Sequence, residues 1–229
     1  MEQVPYQAEP LPTFGTDDFS NNPEPRCPCL LLLDKSGSMQ GTPIRQLNDG
    51  IQAFKEELAQ DALASKRVEI AIVSFAPVTV DCTFQTAYTF SPPILHASGD
   101  TPMGAAIRRG LELLSSRKQE YRSHGVMFYR PWIFLITDGG PTDEWKSAAD
   151  LIQQGESSKA FSFFAIGVEG ANFDVLRSLS PSREPLKLQG LKFKEFFLWL
   201  SNSMSRVSAS QVGDKIQLPP PAGWGEVVA

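Results

Sequence analysis

Histidine and cysteine are both scarce in this 229-residue chain, which carries two of the first and three of the second. Three cysteines are an odd and sparse set, and they exclude a disulfide-stapled scaffold. Basic charge is also in deficit. Twenty-one Lys and Arg against 26 Asp and Glu leave a net charge of −5, the wrong sign for gripping a phosphate backbone. No apolar run approaches the roughly 18 residues that a membrane span requires. The first residues, Met1-Glu2-Gln3-Val4-Pro5, lack the basic start and apolar stretch of a secretory signal. The expectation is a soluble, cytoplasmic protein that binds neither nucleic acid nor membrane. What is present is 41% hydrophobic residues, enough for one sizeable buried core.

Three regions divide the chain. Residues 1–26 hold Pro5, Pro10, Pro12, Pro23 and Pro25 among polar and acidic residues, with Tyr6 and Phe14 as isolated apolar points. They read as an extended arm with no helix or strand of its own. Residues 207–229 are Ser-rich and then pass through Leu218-Pro219-Pro220-Pro221 to Trp224, a stiff polyproline-like tail. Both arms suit solvated ends, and both suit docking on the domain or a partner; Trp224, Val227 and Val228 are unusual choices for a purely solvated end.

Between the arms, residues 27–206 alternate strand-like and helix-like segments. Cys29 to Leu33 is a continuous apolar run of strand length, as expected of a central parallel strand. Ile44, Leu47, Ile51, Phe54 and Leu58 step by three or four, with Pro43 in the first turn. Strand signals follow at 68–75, 78–90 (an antiparallel edge), 132–136, 161–168 and 186–188. Helix signals lie at 102–119, 144–158 (Trp145, Ala148, Leu151 and Ile152 inward), 172–179 and 194–206. This order predicts an α/β fold, a doubly wound and mainly parallel six-stranded sheet flanked by helices.

In such sheets ligands bind outside the carboxyl ends of the strands, where the strand order reverses. Directly after the first apolar run stands Asp34-Lys35-Ser36-Gly37-Ser38, a carboxylate and two hydroxyls at period two. A second loop, Ser98-Gly99-Asp100-Thr101-Pro102, precedes a helix and offers Thr101, expected at the helix N-cap. A third, Thr137-Asp138-Gly139-Gly140, follows the strand ending at Ile136 and offers Asp138. Asp34, Ser36, Ser38, Thr101 and Asp138 are all hard oxygen donors. That set suits Mg²⁺ (or Mn²⁺ or Ca²⁺) and does not suit zinc or copper.

The three loops resemble the von Willebrand factor A domain and its metal-ion-dependent adhesion site. The D-x-S-x-S signature matches Asp34, Ser36 and Ser38, the second-loop threonine matches Thr101, and the third-loop aspartate matches Asp138. The resemblance covers about residues 27 to 206. It implies that Ser36 and Ser38 hold the cation directly, Thr101 directly or through water, and Asp34 and Asp138 largely through water. A partner protein's Asp or Glu then completes the coordination. Leu30 to Asp34, Thr101 to Ala106 and the Pro-rich, Trp-containing end are similar to the bacterial tellurium-resistance group, which implies a stress-response adaptor with phosphatase or kinase partners and no catalysis of its own. Two features depart from that pattern. Gly99-Asp100-Thr101 stands where two glycines before the threonine are usual, and the N-terminal arm is long. Asp100 suits either a solvent-facing loop or a role in tuning the ion.

The alternative from another class is a Mg²⁺-dependent phosphohydrolase. A haloacid-dehalogenase-type site needs a second aspartate two residues after the first, where this chain has Ser36. No Gly-x-x-x-x-Gly-Lys-Ser/Thr stretch occurs. A serine nucleophile would need a histidine base, and only His96 and His124 exist. Cys27, Cys29 and Cys82 read as buried free thiols, and Arg108-Arg109 and Lys192 with Lys194 as solvated helix faces. Asn48 and Gly50 read as packed beneath the metal loops.

Overall fold

Leu30 to Leu33 have no polar side to turn toward water, so the strand they form must be covered on both faces. In the computed structural model, which describes residues 17–221 and 223–227, this strand, β1 (Cys27–Asp34), is buried at every position. Because side chains alternate across a strand, Leu31 and Leu33 enter one core and Leu30 and Leu32 the other. Each buried leucine contributes up to about 2 kcal/mol, and these four hold the two layers on one sheet.

Along the chain follow α1 (Asp17–Asn21), β1, a 3₁₀ turn (Gly37–Met39), α2 (Thr42–Gln60), α3 (Ala64–Arg67), β2 (Val68–Phe75), β3 (Thr79–Thr86), α4 (Met103–Ser123) and β4 (Trp132–Thr137). After them come α5 (Lys146–Ser157), β5 (Ser162–Gly167), α6 (Phe173–Leu179), β6 (Leu186–Leu188), α7 (Phe193–Ser208) and β7 (Gly225–Val227). The sheet order is β3-β2-β1-β4-β5-β6-β7. β1 pairs in parallel with both β2 and β4, while β3 and β7 are antiparallel edges. From β1 the chain first winds outward to β2 and β3, then returns to the other side of β1 as β4. The strand order therefore reverses between β1 and β4, and the crevice for a ligand opens at their carboxyl ends. α2 and α7 pack with the sheet in one core; α4, α5 and α6 cover the opposite face.

Several expectations change. The sheet has seven strands, not six, because residues 225–227 of the Pro-rich tail pair with β6 and Trp224 is buried at 1% exposure. That segment docks on the domain. Within the first 26 residues, α1 is a short helix where only extended chain was expected. Phe19 of α1 lies over the Arg117 guanidinium, 4.6 Å from ring centroid to Cζ, which supplies the contact that the arm's composition did not suggest. The readings on Pro5, Tyr6, Pro10, Pro12, Phe14 and Val228 fall outside the described residues. Leu151 is 42% exposed because Ala148, Ile152, Gly155 and Glu156 form the buried stripe of α5. Arg109 is buried, not solvated, and its guanidinium reaches Glu112 at 3.5 Å. Gly50 supports no metal loop; a Cβ there would meet Phe197 at 2.6 Å, so it sets how closely α7 approaches α2.

At the end of the sheet away from the crevice, Glu69 of β2 is fully buried. It accepts from Arg26 Nε (2.9 Å), Arg117 Nη2 (2.7 Å) and Arg117 Nε (2.9 Å), and from the Tyr121 hydroxyl. Removing one partner of such a buried ionic group leaves uncompensated charge and costs about 3–5 kcal/mol. Glu69→Gln should lower unfolding stability by about that amount in urea titration followed by circular dichroism.

Candidate metal centre

Asp34 ends β1, and Thr137 ends the neighbouring β4. The crevice therefore begins with a contact between these two strand ends. The Thr137 hydroxyl donates to Asp34 Oδ2 at 2.5 Å, and the Ser36 backbone N–H donates to Asp34 Oδ1 at 2.8 Å. Both oxygens of one fully buried carboxylate are thus occupied by the loops on either side. Gly139 N–H in turn donates to the Thr137 hydroxyl at 3.2 Å. Sequence reasoning quoted Thr137 as part of the third loop without giving it a role. Its signal was its place as the last residue of a buried strand next to the strand carrying Asp34.

The 3₁₀ turn that follows Ser36 brings Ser36 Oγ and Ser38 Oγ to 3.0 Å from each other. Ser38 Oγ donates to Asp138 Oδ1 at 2.7 Å, joining the first loop to the third across 100 residues of sequence. Two backbone bonds hold the second loop against the first: Gly37 N–H to Gly99 O (3.0 Å) and Ser98 N–H to Lys35 O (2.8 Å). Thr101 is buried, and a Cβ built on Gly139 would lie 3.8 Å from Thr101 Oγ1, which places that hydroxyl beside the third loop. The structure therefore gathers Asp34, Ser36, Ser38, Thr101 and Asp138 at one crevice, with Thr137 added. Asp100 is exposed.

Thr101 does not cap α4. Asp143 does, accepting from Gly104 N–H (2.9 Å) and Ala105 N–H (2.7 Å). Gly104 makes this possible, because any Cβ there would fall 2.1 Å from Glu144 O. Two backbone-directed bonds with Thr142, Thr101 N–H to Oγ1 (3.1 Å) and Thr142 N–H to Thr101 O (2.9 Å), fix the loop further. Since Asp143 satisfies the helix end, the Thr101 hydroxyl is left for the crevice. Capping from a residue 39 positions downstream has no local sequence signature, unlike a capping box. Asn48 fixes the approach to this loop: its amide donates to Leu95 O (3.0 Å) and accepts from Leu95 N–H (2.9 Å).

The donor set fits a hard dication. An octahedral ion with bonds of about 2.1 Å has neighbouring ligands about 3.0 Å apart, the separation of Ser36 and Ser38 Oγ. Three of the five side chains are neutral hydroxyls, and among the described residues no group of three His, Cys, Asp or Glu is placed to hold a metal. Cys27, Cys29 and Cys82 are free and buried, and burial pushes the Cys82 thiol up to about 12. A serine-histidine pair does not form with His124. It follows the C-terminus of the 21-residue α4, about 30 Å from the helix end at the crevice. His96 is exposed on the segment leading to the second loop.

Residues 30–189 match the von Willebrand factor type A domain family. The chain belongs to this family. Solved structures agree at the level of fold. The pilus adhesin SpaC of Lactobacillus rhamnosus GG is 13% identical with a TM-score of 0.63, over 80% of this chain and 30% of that one. The proximal thread matrix protein 1 of the mussel byssus is 14% identical with a TM-score of 0.54, over 80% and 48%. The SpRpn10 VWA domain is 12% identical with a TM-score of 0.50, over 67% and 80%. This chain spans less than half the length of the adhesin and of the byssus protein. No curated protein matches its sequence. Among the described residues no helix is long and apolar enough to cross a membrane.

Burial raises the Asp34 carboxyl above its ordinary value, with hydrogen bonds from Thr137 and Ser36 opposing and Asp138 adding to the rise. Without a cation, the folded state then holds a proton more tightly than the unfolded chain. Stability from this group is present at low pH and is lost as pH rises through the raised value. In EDTA, Asp34→Asn should gain on the wild type as pH increases from about 4 to 7, read as the difference between their urea midpoints.

Proposed function

We propose that this chain is a divalent-cation-dependent protein-binding adaptor, working through a metal-ion-dependent adhesion site with no catalysis of its own. The observation that carries the reading is the oxygen cluster at the β1/β4 crevice, where Ser36 and Ser38 Oγ stand at octahedral spacing and Ser38 reaches Asp138. Ser36, Ser38 and Thr101 would offer neutral oxygens to Mg²⁺ or Mn²⁺, while Asp34 and Asp138 supply the negative charge. When bound, the ion supplies a Lewis-acidic position that an outside carboxylate can fill. Family membership supports an interaction role. Ser38 and the flanking Gly37 and Asp100 are exposed, so a partner's Asp or Glu has a route to the crevice.

The sequence resemblance to the tellurium-resistance group extends this reading to a bacterial, cytoplasmic stress-response adaptor with phosphatase or kinase partners. It rests on the residue pattern around Asp34, Thr101 and the Pro-rich end. A hydrolase site would need a carboxylate nucleophile or a base beside its serine. Asp34 instead has both oxygens engaged by Thr137 and Ser36.

Tagged protein added to bacterial extract in Mg²⁺ should retain partners that EDTA releases and that Ser36→Ala fails to capture. Equal capture in EDTA and by Ser36→Ala would refute the metal-dependent mode. The same Mg²⁺-loaded preparation should leave generic phosphomonoesters unhydrolysed.

A further inference from the structure

α4 and α5 lie side by side on one face of the sheet, because each leads into one of two adjacent parallel strands, β4 and β5. Between them runs a groove of about 510 Å³. Leu111, Lys118 and Arg122 line it from α4, and Leu151 and Gln154 from α5, in steps that keep each set on one helix face. Gly155 lets the Phe161 ring form part of the floor, since a Cβ there would meet that ring at 2.1 Å. Leu151 is 42% exposed and belongs to neither core, so its apolar surface is left to the groove.

This groove is positive on a chain whose net charge is −5. At one end Arg108 is answered by Asp143 (3.8 Å) and Glu144 (3.4 Å), and the exposed Glu112 by Arg109 (3.5 Å). At the other end Lys118 and Arg122 stand four residues apart, where like charges repel. Among the described residues neither pairs with a carboxylate: Lys118 Nζ donates to Ala160 O at 3.1 Å, and the Arg122 guanidinium lies 5.8 Å from the centre of the Phe128 ring. Burial and the Arg122 charge push the Lys118 ammonium below its ordinary value, the mark of a cation in want of a counter-ion. Both walls are helices whose backbone groups bond within themselves, so an extended chain would find no ladder to join. A helix, which satisfies its own backbone, is the form of chain that fits.

We propose that the groove between α4 and α5 docks an amphipathic helix of a partner protein, with its apolar stripe against Leu111 and Leu151 and its acidic end on Lys118 and Arg122. From Arg108 to Arg122 the groove is about 21 Å long at 1.5 Å per residue, room for about four turns of a docked helix. Charge complementarity selects the partner: an acidic helix supplies the counter-ions that Lys118 and Arg122 lack, and a basic one meets repulsion. None of the five metal-site residues lines the groove, so docking here needs no cation and leaves the crevice free.

Two fluorescein-labelled amphipathic peptides of about 14 residues, added to the full chain and followed by anisotropy, test the proposal. Both carry leucines at helical spacing; one has glutamate in its first turn and flanks, and its twin has lysine there. The glutamate peptide should bind roughly tenfold tighter than its twin or better, in EDTA as in Mg²⁺, and added salt should narrow the gap. Arg122→Glu reverses a charge at an exposed position and should weaken the glutamate peptide about three- to tenfold. Leu151→Glu, also at an exposed position, puts a like charge in the apolar stripe and should weaken it by roughly tenfold or more, with the circular dichroism of both variants unchanged. Equal binding of the two peptides, binding of neither, or undiminished binding by Leu151→Glu would overturn the proposal. So would glutamate-peptide binding that appears only after deletion of residues 1–16, since the groove would then seat the chain's own N-terminal segment. A dimer in sedimentation that Leu151→Glu dissociates would overturn it too, by assigning the groove to a second copy.

Discussion

Everything at the crevice depends on one buried carboxylate. Asp34 terminates the central strand with no exposure to water, and it accepts from Ser36 of its own loop and from Thr137 of the neighbouring strand. Those bonds fix the direction in which the first loop leaves the sheet. They also fix its spacing from the third loop. The serine hydroxyls, Asp138 and Thr101 take their places around that constraint. Burial disfavours the charged form of this carboxylate, and a cation nearby would favour it.

The surrounding fold exists to hold these strand ends still. β1 is flanked by parallel partners on both sides and by a full helical layer on each face, so its end has no freedom to drift. The supports of the second loop come from distant parts of the chain: Asp143 caps α4, Asn48 clamps Leu95, and Gly104 allows the close approach that capping requires. None of these residues carries the proposed chemistry. Each removes a competing use for a residue that does, as Asp143 frees the Thr101 hydroxyl.

Much of this was legible in the sequence. The apolar run at Leu30 to Leu33 marks a doubly covered strand, and oxygen-bearing loops after it and after Ile136 mark the crevice, because strand length and loop composition are local properties. Distant pairings were not legible. Thr137 bonding Asp34 across 103 positions, and Asp143 capping α4, depend on which strands become neighbours. The seventh strand was hidden for the same reason: Gly225–Val227 follows a Pro-rich stretch with no strand pattern of its own, and only pairing with β6 makes it a strand. Leu151 misled because its helical spacing continues the inward stripe, while the bend of that stripe toward Gly155 is set by Phe161, whose ring occupies the space where a Cβ on Gly155 would sit.

The central claim is that hydroxyl oxygens of two loops and a carboxylate of the third bind one hard dication at this crevice. Anomalous diffraction from crystals grown in Mn²⁺ measures that directly. The account predicts a single strong peak in contact with Ser36 Oγ and Ser38 Oγ and close to Thr101, Asp34 and Asp138. An empty crevice at full manganese concentration, or a peak held elsewhere by carboxylates alone, would contradict it.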